Sequence, residues 1–378
     1  MGDLNTLFFE LIRVAIGAQE TLSRLPSEVE WEKLFEMAMK QSLVGICFAA
    51  LQRLGADSDE GYTRIGISEM LYFTWMGMAA KIQQKNEIVN AQCVELTNKF
   101  RLDGFDVVVL KGQSAARRYG TLALLRQSGD IDAWLTGSRE KIKKYITKNY
   151  EVGEVIYNHA HVKVFENTAV EVHFTPSWLY SPFRNKELQK WFDGFKNPKG
   201  LSAIRFEFQE QDGFKSPSVD FDLVYLTLHA YRHLMHEGLG LRQVMDCYFA
   251  LSAVPHSTSS GQAPGFKVQE VASTFKSLGL LKFAGAMMYV MQVVFGLEEK
   301  DMICSPDEKR GKRLLTEIGR GGNMGRGDDR TGKSKSRMGY FWEHVSRQWS
   351  FMRDYPSEVL WSPLWKAWHF VMRKLGRI

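Results

Sequence analysis

Two aspartates that are separated by one residue carry the strongest chemical signal in the sequence. Asp130 and Asp132 belong to the run Ser-Gly-Asp-Ile-Asp at residues 128–132, whose alternation predicts a strand. Side chains at positions i and i+2 of a strand point to the same face, so the two carboxylates would lie side by side. Two like charges at that distance are costly unless a cation neutralises them, and oxygen ligands suit Mg²⁺ that also binds substrate phosphates. The pair therefore predicts a site for Mg²⁺, or for Mn²⁺, together with a triphosphate.

A third acidic residue on a later strand would complete a site for two metal ions. The run Ala-Val-Glu-Val-His-Phe at residues 169–174 alternates, so Glu171 and His173 share one face. In a displacement at an α-phosphate, one ion lowers the pKa of the attacking hydroxyl and the other stabilises the pyrophosphate leaving group. Asp130 and Asp132 would bind both ions, while Glu171 would bind the ion at the nucleophile and accept its proton. The predicted catalytic and metal-binding residues are Asp130, Asp132 and Glu171.

A strand-to-helix turn upstream offers positive charge and backbone donors to the phosphates. Residues 105–110 are rich in valine and predict a buried strand, and the run Lys-Gly-Gln-Ser that follows ends the strand and begins a helix. A helix N-terminus presents free backbone N–H groups to a phosphate, and Lys111 adds a positive charge. The predicted phosphate-side residues are Lys111, Gly112, Ser114 and Gly129.

Three histidines and two arginines are further candidates for contacts with the phosphates or the acceptor. His229, His233 and His236 recur at i, i+4 and i+7 and would share one helix face. That spacing could bind a transition metal, but it is more often a polar stripe beside a cleft. Arg126 lies just before the acid pair, and Arg242 belongs to a helix that could pack over the sheet. The predicted substrate-binding set therefore also includes Arg126, His229 and Arg242.

The elements that must position these residues fall into three regions. Residues 1–103 show the apolar spacing of amphipathic helices almost throughout. Residues 104–215 change to short strands, with a hairpin at 166–168, and residues 216–378 return to helices. Within the last region, the segment 319–339 is rich in Gly, Ser, Lys and Arg and predicts a basic loop. The predicted fold class is α+β, a small mixed β-sheet core flanked by N-terminal and C-terminal helical regions.

Composition excludes several classes of protein. The 378 residues are 44% hydrophobic and 24% charged, which excludes a collagen-like or mostly disordered chain. A net charge of +6 suits phosphate-bearing small molecules better than the coating of DNA. The scattered cysteines and the lack of a basic start before the first apolar run indicate a cytoplasmic location. The most apolar window, Leu278–Leu297, contains Lys282 and predicts a buried helix rather than a transmembrane segment.

The order of these motifs resembles the DNA-polymerase-β-like nucleotidyltransferase superfamily. More narrowly, the runs Leu-Lys-Gly at 110–112, Arg-Gln-Ser-Gly-Asp-Ile-Asp at 126–132 and Val-Glu-Val-His at 170–173 are similar to an uncharacterised bacterial nucleotidyltransferase family with a minimal nucleotidyltransferase-like core. Further similar runs are Gly-Leu-Arg-Gln at 240–243, with Asp246, and Tyr-Pro-Ser-Glu at 355–358. The resemblance implies Mg²⁺-dependent transfer of a nucleoside monophosphate from an NTP, such as ATP, with release of pyrophosphate. The usual Gly-Ser turn reads Gly-Gln-Ser here and lies further from the acid pair than in most superfamily members.

Two other classes of function stay open at this point. An Asp-x-Asp pair also binds nucleotide-sugars in glycosyltransferases, although the helical pattern of residues 1–103 lacks the alternating strands that usually precede it. A non-catalytic nucleotide-binding or regulatory partner would not need all three acids. The acceptor is not specified and includes a small molecule, a glycan precursor, a peptide or a protein. Nucleic acid is not the favoured partner, because the tryptophans of the C-terminal tail do not interleave regularly with Arg or Lys.

Overall fold

The computed structural model describes residues 2–58, 60–196, 209–254, 268–322 and 345–375. In chain order these residues form a set of helices, a mixed sheet and a second set of helices, which confirms the predicted α+β class. The predicted basic loop at 319–339 begins inside a helix that ends at Gly321, and its residues from 323 onward lie outside the described residues.

Among the described residues, five helices precede the first strand. They are α1 (Asp3–Ile16), α2 (Glu28–Gln41), α3 (Val44–Arg53), α4 (Gly61–Arg64) and α5 (Glu69–Leu102). Helix α5 runs without interruption because it contains no proline and only one glycine, Gly77. The buried Asn86 side chain of α5 donates hydrogen bonds to the backbone oxygens of Leu124 and Arg126, at 2.6 and 2.8 Å. Helix α5 thereby fixes the segment that leads into the acid pair.

Seven short strands of the described ranges form one mixed sheet in the spatial order β3-β4-β5-β2-β1-β7-β6. The strands are β1 (Val107–Leu110), β2 (Ile131–Leu135), β3 (Glu151–Val155), β4 (His159–Lys163), β5 (Val170–His173), β6 (Gln209–Gln211) and β7 (Phe214–Ser216). Strand β2 is parallel to β5 and antiparallel to β1, and the predicted hairpin between β4 and β5 is present. Strands β6 and β7 have three residues each, too few for an alternating pattern to predict them.

The two faces of the sheet have different chemistry. One face packs against α5 and against α7 (Arg139–Asn149) through apolar side chains. Its buried strand residues include Val107, Val109, Ile131, Ala133, Val170 and Val172. Full burial of each valine or isoleucine stabilises the fold by about 1.5–3 kcal/mol. Because strand residues alternate, this apolar face directs Asp132, Glu171 and His173 to the opposite face.

The helices after the sheet pack together with those before it. Further α-helices among the described residues include α6 (Gly112–Ala116), α8 (Pro182–Lys196), α9 (Val219–His236), α10 (Leu241–Ser252), α11 (Val268–Ser277), α12 (Leu281–Phe295), α13 (Glu308–Gly321) and α14 (Pro356–Lys374). Arg13 of α1 donates to the backbone oxygen of Val293 in α12, and Gln41 donates to that of Ile318 in α13. The two predicted helical regions therefore share one hydrophobic core, and the domain boundaries at 103 and 215 stay a prediction.

The apolar window around α12 is buried within the protein. Phe283, Met287, Val290 and Val294 are each fully buried against neighbouring helices, so the prediction of a buried helix is confirmed. Across the described ranges, no helix combines the length and the apolar character that crossing a bilayer requires. The cytoplasmic location stays a prediction.

Candidate active site

The three predicted acids meet at the N-terminal ends of β2 and β5. Parallel pairing of these strands sets Asp132 directly opposite Glu171, and Asp130 immediately precedes β2. One carboxylate oxygen from each of the three residues lies within 4.8 Å of the others. Asp132 is fully buried, whereas Asp130 and Glu171 are partly exposed. We call these three residues the acid cluster.

Lys111 places its ammonium group between two members of the acid cluster. Its Nζ lies 3.0 Å from Oδ2 of Asp132 and 3.6 Å from Oδ2 of Asp130. Lys111 has a φ of 39° and Gly112 a φ of 45°, a sharp left-handed turn at the end of β1 that a lysine rarely adopts. Burial alone would lower the pKa of Lys111, but the carboxylates of Asp130 and Asp132 raise it well above its ordinary value. Lys111 is therefore charged and partly neutralises the acids.

Two histidines, His159 and His173, lie beside the acid cluster. Nε2 of His173 lies 2.8 Å from Oδ1 of Asp132 and 3.4 Å from Oε2 of Glu171, and Nδ1 of His159 lies 3.3 Å from the same Glu171 oxygen. Burial opposes the charge of His173, but its hydrogen bonds to Asp132 and Glu171 raise its pKa to about 9. Burial and the neighbouring His173 lower the pKa of His159 to about 3. At neutral pH the His173 imidazole is therefore charged and the His159 imidazole is neutral.

The three carboxyl groups differ in how well they are neutralised. Burial and the nearby Asp130 raise the pKa of Asp132 to about 7, against the opposing charge of Lys111. The Lys111 ammonium lowers the pKa of Asp130 and outweighs the effect of burial. Burial would raise the pKa of Glu171, but the hydrogen bond from His173 and the charge of Lys111 lower it. Burial is the largest cause of the raised pKa of Asp132, and the excess of negative charge follows from composition: three carboxyl groups lie beside two cationic groups, Lys111 and His173.

A cavity of about 400 Å³ lies over the acid cluster, within the size range of small-molecule sites. Lys111, Asp130 and Glu171 line its floor, the fully buried Asp132 lies behind them, and helices α9, α10 and α14 supply the walls. Tyr225, His229 and Arg232 face it from α9, Arg242 from α10 and Trp365 from α14. The chain thus surrounds the cavity with acids on one side and with imidazole and guanidinium groups on the other.

Most of the residues predicted to contact the phosphates or the acceptor line this cavity. Those that do are Lys111, Gly112, Gly129, Arg126, His229 and Arg242. Nη1 of Arg242 donates to the backbone oxygen of Gln127 at 2.8 Å, which holds its guanidinium beside the segment that carries Gly129. Nε2 of His229 lies 3.0 Å from Nε2 of His233, and burial lowers the pKa of both. We expect both to be neutral at neutral pH.

Two of the predicted residues are positioned differently from the expectation. Ser114 is buried within α6, a helix of five residues, and does not line the cavity. Arg126 lines the cavity but is committed to Asp246, with Nε to Oδ1 at 2.6 Å and Nη2 to Oδ2 at 2.7 Å. Its contribution is therefore to hold the segment before the acid pair, and Arg242 is the better placed guanidinium for a phosphate.

Sequence reasoning missed two cavity residues on α9. The aromatic ring of Tyr225 is buried, and burial together with Asp132 raises its pKa well above the ordinary value. Arg232 stacks over the Trp178 ring, 4.0 Å from the ring centroid. The available signal was the helical spacing of Tyr225, His229, Arg232 and His236, which extends the histidine stripe by residues of other types.

Comparison with known families supports the resemblance seen in the motifs. The sequence model of a family described as uncharacterised nucleotidyltransferase matches residues 27–296, more than two thirds of the 378-residue chain. The matched range contains the acid cluster, Lys111 and the cavity residues of α9 and α10. Neither the curated proteins nor the solved structures yield a match. A bacterial origin stays a prediction. On the extent of the family match, the chain belongs to the uncharacterised nucleotidyltransferase family.

Proposed function

We propose that the chain transfers a nucleoside monophosphate from an NTP to a hydroxyl or phosphate oxygen of an acceptor, with release of pyrophosphate, in the manner of polymerase-β-like enzymes. The observation that supports this best is the acid cluster, three carboxylates with oxygens within 4.8 Å, two of which, Asp130 and Glu171, line a cavity. A triphosphate is a polyanion and would be repelled by the acids alone. A cation between the carboxylates and the triphosphate removes this repulsion, which is why such an arrangement suits nucleotide chemistry.

The donor set of the acid cluster fits Mg²⁺, or Mn²⁺ in its place. Asp130, Asp132 and Glu171 offer hard oxygen atoms, and Oδ2 of the buried Asp132 has the Lys111 ammonium as its charged neighbour, at 3.0 Å. These three residues would hold the ion. A bound ion of this kind neutralises phosphate charge and lowers the pKa of the attacking hydroxyl.

The residues of the chain then have separate tasks. The transfer forms a bond between the acceptor oxygen and the α-phosphorus and breaks the bond from that phosphorus to the oxygen of the pyrophosphate. Lys111 and Arg242 line the cavity and would offset the charge of the β- and γ-phosphates. The lowered pKa of Glu171 favours a role as ligand over the predicted role as proton acceptor. The class of acceptor stays open, and it still includes a small molecule, a glycan precursor, a peptide or a protein.

Nucleotide binding and nucleotidyl transfer can be tested separately. Isothermal titration with α,β-methylene-ATP, which cannot be cleaved at the transferred bond, should show binding that requires Mg²⁺ and that the double variant Asp130→Asn/Asp132→Asn loses. Glu166→Gln is the matched control, because Glu166 is exposed and pairs only with Lys163 among the described residues. Incubation with each α-labelled NTP and cell extract should then yield a labelled product and free pyrophosphate.

The alternatives give different results in the same experiments. Nucleotide binding that is equal with and without Mg²⁺, in wild type and double variant alike, would replace the enzyme with a non-catalytic binding partner. Label that reaches the product only from the γ-position would mean kinase chemistry. A glycosyltransferase would bind nucleotide-sugars in preference to NTPs, and the described residues before β1 form helices without the strands that such a nucleotide-sugar half would need.

A further inference from the structure

A second set of potential ligands lies beside the acid cluster and contains nitrogen. His159, Glu171 and His173 each offer one ligand atom, and these atoms lie within 4.8 Å of one another. Antiparallel pairing of β4 and β5 sets His159 opposite His173, and Glu171 lies two residues before His173 on the same face of β5. We call these residues the His-Glu cluster. It shares Glu171 with the acid cluster.

The hydrogen bonds of His159 leave an electrostatic conflict inside the His-Glu cluster. Nε1 of Trp178 donates to Oδ1 of Asn158 at 3.1 Å, so the amide nitrogen of Asn158 is the atom that faces Nδ1 of His159, also at 3.1 Å. Nδ1 must therefore be the unprotonated nitrogen that accepts this bond. The same nitrogen atom lies 3.3 Å from Oε2 of Glu171, so two hydrogen-bond acceptors lie close together. A cation bound by both atoms would remove this conflict and would take the place of the Asn158 hydrogen bond at Nδ1.

The donor atoms select the kind of cation. Mg²⁺ takes oxygen ligands and retains several waters, whereas imidazole suits first-row transition ions. Two imidazoles and a carboxylate form a mixed set of this second kind. Nε2 of His173 contacts both Asp132 and Glu171, so an ion bound by His173 and Glu171 would take the place of these contacts.

We propose that His159, Glu171 and His173 bind a divalent transition ion, such as Mn²⁺, Co²⁺ or Zn²⁺, beside the Mg²⁺ site of the acid cluster. The inference rests on the proposed function only through the shared Glu171. On this proposal the protein has two metal positions, the acid cluster and the His-Glu cluster, and the second one selects an ion that binds nitrogen.

Cobalt absorption tests the proposal without any activity measurement. We expect Co²⁺ added to the full-length, EDTA-treated and dialysed protein to give intense visible d–d bands of a nitrogen-ligated, low-coordinate ion. His159→Gln should weaken Co²⁺ binding by at least about 10–100-fold, the loss typical of disturbed metal sites. Asp130→Asn should keep the bands, because Asp130 is not in the His-Glu cluster. His233→Gln should keep them too, because His233 lies with His229 on α9.

A replacement that creates a new signal separates loss of a ligand from loss of folding. His159→Cys should bind Co²⁺ with a thiolate charge-transfer band in the near ultraviolet, which an unfolded variant would not give as a saturable site. The proposal is overturned if wild type shows only the weak spectrum of hydrated Co²⁺, if the bands persist unchanged in His159→Gln, or if they disappear in His233→Gln instead.

The same data distinguish this proposal from the proposed function. Nitrogen-ligated Co²⁺ in a protein that transfers no nucleotide would uphold the His-Glu site and reject nucleotidyl transfer. Nucleotidyl transfer in Mg²⁺ alone, with no d–d bands on addition of Co²⁺, would uphold the proposed function and reject the His-Glu site.

Discussion

Two buried groups of charged residues border the same cavity and differ in charge balance. In the first, Arg126 makes two hydrogen bonds to Asp246, and the Tyr119 hydroxyl donates a third to that carboxylate at 2.7 Å. We call this group the paired cluster. In the acid cluster, three carboxylates share one ammonium group from Lys111 and one imidazole from His173. The charges of Arg126 and Asp246 balance each other, whereas the acid cluster has three carboxyl groups and two cationic groups.

The difference separates what charges do for stability from what they do for binding. A buried ion pair with good geometry is strongly destabilised when one partner is removed, because the other is left unpaired. A cluster with excess negative charge opposes folding, but it creates affinity for the ion that relieves it. We therefore expect substitutions in the two clusters to have opposite signatures, with activity lost in one and stability lost in the other.

The largest effect should come from Asp132→Asn. This change removes a charge of the proposed metal site at nearly constant volume, and metal ions supply several kcal/mol to the transition state. The rate of labelled product formation should fall about 10³- to 10⁴-fold, or about 4–5.5 kcal/mol in activation free energy. The free energy of unfolding in EDTA, measured with urea, should not fall, because burial disfavours the Asp132 charge. A large loss of stability with normal activity would assign Asp132 to the same class as Asp246.

The next largest effect should come from Asp246→Asn in the paired cluster. Arg126 is 3% exposed and would lose its charged partner, so the free energy of unfolding should fall by about 3–5 kcal/mol. The double variant Arg126→Met/Asp246→Leu should recover much of this loss, since an apolar pair leaves no buried charge. A loss below about 1 kcal/mol for Asp246→Asn would show that the pair behaves like an exposed salt bridge.

Sequence alone could find the acid cluster because its signals are local. The i, i+2 spacing of Asp130 and Asp132 and the alternation around Glu171 both follow from strand geometry, and Lys111 follows a recognisable buried strand. The helical regions and the β4–β5 hairpin were predictable for the same reason. In each case a few neighbouring residues determine the pattern.

The paired cluster could not be found in this way, because its partners are not local. Arg126 and Asp246 are 120 residues apart, so a single sequence cannot show that the arginine is already neutralised. The burial of Ser114 depends equally on helices that pack around α6. The close approach of two acceptors at His159 can be recognised only when the orientation of the Asn158 amide is known, and a hydrogen bond from Trp178 sets that orientation. Tertiary contacts, rather than residue types, decide these roles.

The pH dependence of stability should identify a second buried pair next to the paired cluster. Asp222 forms an ion pair with Arg118, yet burial raises its pKa to about 6 against that opposing charge. The unfolded carboxyl titrates near pH 3.9, so the folded state holds the proton longer, and the free energy of unfolding falls as pH rises from about 4 to 6. This contribution is at most about 3 kcal/mol in total and becomes constant only above about pH 7, where the folded carboxyl is also ionised.

Comparison of wild type with Asp222→Asn isolates that contribution. Urea unfolding between pH 4 and pH 7.5 should show the stability of wild type, relative to the variant, falling as pH rises. If the pair with Arg118 instead lowered the pKa of Asp222, the relative stability of wild type would rise with pH. The direction of the slope therefore decides whether burial or pairing dominates at Asp222.

The smallest effect should be the stabilisation by Mg²⁺, and it should be confined to one cluster. An ion that binds only the folded state at ten times its Kd raises the free energy of unfolding by about 1.4 kcal/mol. We expect this increase in wild type and in Arg126→Met/Asp246→Leu, whose acid cluster is intact, and not in Asp130→Asn/Asp132→Asn. Urea unfolding in Mg²⁺ and in EDTA at constant ionic strength measures the difference. An equal increase in all three proteins would mean that Mg²⁺ acts on the surface, and the contrast between a complete and an incomplete charge cluster would then have no consequence for binding.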